Sequence, residues 1–257
     1  MALHGFESLG DVLKRIGVKF DTTTAPVAEA PPAPTCARCM DSGYLRRDVP
    51  ATDRDFGRLV ECPCGTIQTR RMTKIWASSE IPPTMRHYSL ASFALRSGKQ
   101  ALVDDVRASW DEGTRWLLLT GPVGLGKTGI AVSLLLEAMH AGSGGLYVVT
   151  PSFLSRIRAT YTRVKDGEVD EMDVLGSVIS APLLVLDDVG KVALSEWGQE
   201  KLFTVINERY LAGRRTIVTS NLDVEGERSL EDHLWPATWD RIRGSSDIFR
   251  LTGESLR

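Results

Sequence analysis

Hydrophobic positions change period several times along the chain, and each change marks an element. Phe6, Leu9, Leu13 and Ile16 recur at helical spacing with Asp11, Lys14 and Arg15 opposite, predicting a short amphipathic helix within residues 1–20. That stripe either docks on another protein or folds back on its own domain. Residues 21–35 are a proline and alanine tether with little to bury. Leu102, Val106 and Trp110 predict a helix over 99–112. The runs 116–120, 145–150, 182–187 and 216–221 are short, apolar and bounded by glycine, proline or polar residues, as strands buried on both faces of a sheet are. Between them lie helical segments at 130–139, 151–165 and 168–179, then one lined by Leu202, Ile206 and Tyr210 that ends near Gly213. A last short strand is predicted over 247–251. Strand and helix alternate, so the expected class is α/β with a parallel sheet flanked by helices.

A chain of 257 residues accommodates such a domain over 81–257 together with a small appendage. The formal charge of −2 gives no overall field favouring nucleic acid, although local basic faces remain. No apolar run reaches the ~18–20 residues of a membrane span, and the first residues hold no continuous apolar signal core, so a cytoplasmic location without a membrane partner is expected.

Chemistry concentrates where the first strand of the sheet ends. Gly121-Pro122-Val123-Gly124-Leu125-Gly126-Lys127-Thr128-Gly129 fits the phosphate-binding pattern G-x-x-x-x-G-K-[ST] between a strand and a helix. Glycines there let successive N–H groups turn inward around a polyphosphate. Lys127 is expected on the β and γ phosphates of ATP and the Thr128 hydroxyl on Mg²⁺. The run 182–187 ends in Asp187 and Asp188, placing two acids at the carboxyl edge of the sheet. Asp187 is expected to orient Mg²⁺ and Asp188 to polarise the attacking water. Asn221 ends the next strand, where an amide can hold that water. In the connector 81–93, Tyr88 or Phe93 is expected to cover the base. Arg241, with Arg243 in reserve, is expected to reach a neighbouring subunit's γ-phosphate rather than its own, the alternative being a plain surface residue.

All four cysteines fall between 36 and 64. Cys36-x-x-Cys39 and Cys62-x-Cys64 offer two thiolate pairs to a tetrahedral Zn²⁺, and a module over 36–75 is too small to fold on apolar burial alone. Arg46, Arg47, Arg54, Arg58, Arg70, Arg71 and Lys74 make this stretch basic, fit for nucleic acid or simply a solvated face. The segment 151–165 poses the same choice: Arg156, Arg158, Arg163 and Lys165 interleave with Tyr161, a pattern that suits single-stranded DNA and also an ordinary surface helix.

Taken together, Gly-Pro-Val-Gly-Leu-Gly-Lys-Thr, Leu-Leu-Val-Leu-Asp-Asp-Val-Gly, Ile-Asn-Glu-Arg-Tyr, Thr-Ser-Asn-Leu, Trp-Asp-Arg-Ile-Arg and Leu-Thr-Gly-Glu-Ser-Leu-Arg resemble the DnaC/DnaI/IstB group of AAA+ P-loop ATPases from about Ile81 onward. The resemblance implies a five-stranded sheet of order 5-1-4-3-2, ATP hydrolysis, self-association through ATPase interfaces and single-stranded DNA in the channel. A cysteine-rich start resembles a bacterial or phage loader of the replicative hexameric DNA helicase. An IstB-like transposition helper and a nucleotide-gated adaptor with little hydrolysis are the alternatives. Glutamate is common in the group where Asp188 stands, so base geometry is expected to differ.

Overall fold

The computed structural model describes residues 35–161, 170–191, 193–226 and 229–256. The helix expected within 1–20, nearly all of the tether, and Arg163 and Lys165 lie outside these residues. Two compact units divide between Cys64 and Gly65.

In the smaller unit, β1 (Tyr44–Arg46) pairs antiparallel with β2 (Leu59–Glu61), Tyr44 opposite Glu61 and Arg46 opposite Leu59. Met40 and Asp41 turn the chain at positive φ, 49° and 58°, between the first cysteine pair and the hairpin. Of the described residues up to Cys64, only Cys39, Gly43 and Cys62 are buried. Two of its arginines share one acid: Asp55 accepts from Arg47 at 2.6 Å and from Arg58 at 3.2 Å, while Arg46 lies over the Phe56 ring.

The boundary expected near residue 75 falls eleven residues earlier. Gly65, at φ 79°, opens helix α1 (Thr66–Ser78), which belongs to the larger unit and buries Ile75 in its core. Beyond α1 the chain passes Ser79, whose carbonyl accepts from Tyr147 N at 2.8 Å and so satisfies a backbone donor on the outer edge of the sheet. Helices α2 (Leu90–Ser97) and α3 (Gln100–Asp111) precede β3 (Trp116–Thr120). In α3 the buried residues are Val103, Val106 and Trp110; the expected Leu102 is only partly covered.

After β3 come α4 (Lys127–His140), β4 (Gly145–Val149), α5 (Thr150–Thr160), α6 (Glu171–Ser180) and β5 (Leu183–Asp187). They are followed by α7 (Glu196–Leu211), β6 (Arg215–Thr219), α8 (Leu230–His233), α9 (Pro236–Ser245) and β7 (Ser246–Arg250). The sheet runs β4-β5-β6-β3-β7, parallel throughout. Counted among its own five strands, that is the order 5-1-4-3-2.

Alternation along each strand divides the core between the two faces of the sheet. Leu117, Leu119, Tyr147, Val185 and Ile217 pack with α1, α2, α3 and α4, while Trp116, Leu118, Leu146, Leu184 and Val218 pack with α5, α6, α7 and α9. Two residues of α7 exchange their expected roles. Tyr210 is 47% exposed, whereas Arg209 is fully buried. The Arg209 guanidinium donates to the carbonyls of Val178, Ile179 and Ala181 at 2.8–2.9 Å, closing the end of α6. It also donates to Thr216 Oγ1 at 3.0 Å and to the Arg215 carbonyl. Burial lowers its pKa to about 9, which still leaves it charged at neutral pH.

Candidate nucleotide site and cysteine cluster

The turn from β3 into α4 is built on three glycines at positive φ: Gly121 at 125°, Gly124 at 87° and Gly126 at 90°. Each is also crowded. A Cβ at Gly121 would stand 2.2 Å from the Leu251 carbonyl oxygen, at Gly124 2.2 Å from Ser255 Oγ, and at Gly126 2.2 Å from the Phe93 ring. The loop is therefore a cradle that side chains would fill, which is the fit a polyphosphate requires. Lys127 is buried, and its ammonium donates to the carbonyls of Gly121 at 2.6 Å and Pro122 at 2.8 Å. Leu125 points into the core and Val123 is exposed.

Facing the loop, Asp187 ends β5 with three hydroxyls around its carboxylate. Thr128 Oγ1 donates to it at 2.9 Å, Tyr147 OH at 2.7 Å and Thr219 Oγ1 at 2.5 Å. Burial first, and then the Asp187 charge, push the Tyr147 phenol well above its ordinary range, so it stays a donor. Asp187 and Thr128 thus meet in the arrangement that would hold Mg²⁺. Asp188 sits in the left-handed region at φ 59°. Its N–H donates to Thr219 Oγ1 at 3.0 Å, while its carboxylate accepts from Lys191 at 2.7 Å and from Asn221 Nδ2 at 3.2 Å.

Loop, acids and Asn221 line one cavity of about 680 Å³ that also reaches Met85, Tyr88, Phe93 and Arg96. Ser255 and Leu256 line it too, at the end of a segment 251–256 that is tied to the phosphate loop and to Lys99. Leu251 N donates to the Thr120 carbonyl at 2.8 Å, Leu256 N donates to the Gly124 carbonyl at 2.9 Å, and Lys99 holds the Thr252 carbonyl. Arg241 is elsewhere: it donates to the Ala237 carbonyl at 2.8 Å and stacks over Phe203 and Tyr210. Arg243 pairs with Glu225 at 3.5 Å.

Sequence reasoning missed Tyr147, Thr219, Lys191 and the 251–256 strap. Tyr147 gave one signal, a lone hydroxyl in an otherwise aliphatic strand. Lys191 gave another, a cation three residues past Asp188.

Near the start of α7, the Arg158 guanidinium lies 4.9 Å from the centre of the Trp197 ring, and Tyr161 meets Trp197 edge-on at 6.2 Å. Glu171 accepts from Tyr161 at 2.6 Å and pairs with Lys201 at 2.9 Å; these two bonds hold its pKa below the usual carboxylate range. Half-exposed Tyr161 and Arg158 are the members of the basic aromatic segment that the structure brings together, with Trp197 added. Arg156 instead pairs with Glu80 at 2.6 Å.

In the smaller unit, the sulfurs of Cys36, Cys39, Cys62 and Cys64 all lie within 4.8 Å of one another, with Cys36–Cys62 at 3.9 Å and Cys39–Cys64 at 3.6 Å. A tetrahedron of sulfurs about 2.3 Å from a zinc ion has edges of about 3.8 Å. The donor set therefore fits the metal in number, chemistry and spacing. Backbone N–H groups of Cys39 and Arg38 hold the Cys36 thiol below its ordinary pKa, favouring the thiolate.

Comparison with known proteins bears on the same residues. The profile of a family described as IstB-like ATP binding protein matches residues 55–257. An ATP-binding protein of insertion sequence IS1162 from Pseudomonas fluorescens is 37% identical over 113 residues, 44% of this chain and 46% of that protein. Protein XkdC of the phage-like element PBSX from Bacillus subtilis is 26% identical over 207 residues, 74% of this chain and 73% of its own length. The chain spans about half the length of the insertion-sequence relatives it matches. Among solved structures, that of the DnaC helicase loader aligns with a TM-score of 0.52 at 24% identity, over 60% of this chain and 90% of that one. The fold is that of the AAA+ P-loop proteins. No helix among the described residues is long and apolar enough to cross a membrane.

Proposed function

The chain belongs to the IstB-like ATP-binding family, and from that premise we propose that it is an ATP-hydrolysing loader of a replicative DNA helicase. The observation that carries hydrolysis is the meeting of Thr128 with Asp187, 59 residues apart in sequence, against a loop only glycine can form. In this reading residues 121–129 wrap the triphosphate and Lys127 neutralises its β and γ oxygens. Tyr88 and Phe93 flank the base, and Thr128 with Asp187 would hold Mg²⁺, which supplies charge neutralisation on the phosphates. Asp188 takes the proton of the attacking water and Asn221 orients that water. Arg241, turned away from its own cavity, serves a neighbouring subunit.

Single-stranded DNA is the second ligand. Arg158, Tyr161 and Trp197 combine a cation with two aromatic faces, and each base stacked on such a face contributes about 1–3 kcal/mol. The cysteine unit would carry one zinc and, with the residues before it, grip the helicase; residues 1–54 precede the family match. A second reading, the transposition helper, is favoured by the insertion-sequence relatives.

Steady-state ATPase assays and pull-downs test these assignments. Lys127→Ala should abolish turnover, and the chain should capture a hexameric helicase; unchanged turnover would overturn hydrolysis. Capture of a transposase in place of the helicase would transfer the assignment to the second reading.

A further inference from the structure

We propose that Tyr147 is a positioning residue for the Mg²⁺ site: its phenol, together with the Thr219 hydroxyl, fixes the plane of the Asp187 carboxylate so that both oxygens stay turned toward Thr128. The inference rests on the reading that Thr128 and Asp187 hold Mg²⁺ beside a bound nucleotide, and it adds a residue that does not line the cavity.

A tyrosine is chemically out of place in β4. Its neighbours are Leu146, Val148 and Val149, and Tyr147 itself is buried on the face that packs against α4. Phenylalanine would fill the same space, and burying a phenolic hydroxyl costs free energy unless the group finds a hydrogen-bond partner. That partner is Asp187 Oδ2, at 2.7 Å. Strand register brings the two together: Val149 pairs with Asp187, and Tyr147 lies two residues earlier on the same face, so the length of the ring carries the hydroxyl forward to the carboxylate. The Tyr147 N–H is held in turn by the Ser79 carbonyl at 2.8 Å.

Asp187 depends on such partners. The torsion that turns an aspartate carboxylate is broad, so the groups around it set its plane. Here its oxygens are divided between two strands. Thr219 Oγ1, from β6, donates to Oδ1, and Tyr147, from β4, donates to Oδ2, so the carboxylate is gripped from both sides of β5. Thr128 Oγ1 sits across the opening between them, 2.9 Å from Oδ1 and 3.2 Å from Oδ2. The Thr219 hydroxyl is itself fixed: its oxygen accepts from Asp188 N at 3.0 Å, which directs its proton to Asp187. Without the phenol, Oδ2 keeps the longer contact to Thr128, and the carboxylate swings about its bond to Thr219.

The test uses full-length protein and a fluorescent, non-hydrolysable ATP analogue whose binding is followed by anisotropy, in EDTA and across a MgCl₂ titration. Thermal unfolding checks that each variant is folded. Loss of a group that orients a metal-ligating carboxylate lowers metal affinity about 10- to 100-fold, so Tyr147→Phe should raise the half-saturating Mg²⁺ concentration by that factor and leave binding in EDTA unchanged. Thr219→Val, which removes the other arm, should shift the Mg²⁺ requirement in the same direction. In an Asp187→Ala background, Tyr147→Phe should add nothing, because its route to the metal is gone. A rise of less than about tenfold in Tyr147→Phe, an equal loss of binding in EDTA, no shift in Thr219→Val or a further shift in the Asp187→Ala background would overturn the proposal and leave the metal site standing. If Mg²⁺ fails to strengthen analogue binding to the wild type, the reading of Thr128 and Asp187 as the metal site falls first and takes this one with it.

Discussion

Stripping the zinc proposed for the cysteine unit should unfold that unit and leave the other standing. Ordering the chain costs backbone entropy that so small a unit has little apolar surface to offset. Against this the described part of the unit buries only Cys39, Gly43 and Cys62 and forms a hairpin of three paired positions per strand. Two-stranded hairpins are marginal by themselves in water. Four-coordinate zinc contributes about 10–16 kcal/mol at neutral pH, and no apolar core replaces it here. A strong chelator should therefore expose all four thiols to a colorimetric thiol reagent and abolish hydrogen-exchange protection of Tyr44–Arg46 and Leu59–Glu61. Protection of β3, β5 and β6 should persist, since those strands belong to the other unit. Elemental analysis should give one zinc per chain, released as acid protonates the thiolates. A metal-free protein whose hairpin amides stay protected and whose thiols stay unreactive would refute this reasoning.

Three further outcomes follow from named contacts. Gly126→Ala forces a side chain at φ 90° into the Phe93 ring, a combined cost of about 2–5 kcal/mol; thermal unfolding should shift down by about 5–15 °C with loss of nucleotide binding, and a shift under 2 °C would contradict the crowding. Arg209→Met strips donors from several buried carbonyls and should destabilise by about 2–4 kcal/mol in denaturant titration even after the buried charge is relieved. Equal stability would mean that water replaces the guanidinium. Mixing Arg241→Ala with Lys127→Ala protein should recover some turnover if the arginine acts on a neighbour, and no recovery at any ratio would count against that role.

The phosphate loop and the paired acids could be read early because each depends on residues adjacent in sequence, whereas the sheet order came only from the family resemblance. Gly121 to Thr128 and Leu183 to Asp188 carry their own geometry in their order. What escaped depends on neighbours distant along the chain. Tyr147 reaches Asp187 only because β4 and β5 pair with Val149 beside Asp187. The α7 stripe was phased on Tyr210, since a pattern reading does not place an arginine in a core; Arg209 is there because the end of α6 leaves carbonyls that need donors. The module boundary was set by composition, and the basic residues of α1 concealed the face that buries Ile75.

The strap over the phosphate loop has a practical consequence. Because Leu256 hangs on the Gly124 carbonyl and Ser255 fills the space a side chain there would need, residues 251–256 work as a lever whose short arm is the phosphate loop. A purification tag or fluorophore joined just past that arm would pull on the loop itself and report altered nucleotide binding as though it were native, whereas the same label before Cys36 would leave the lever untouched.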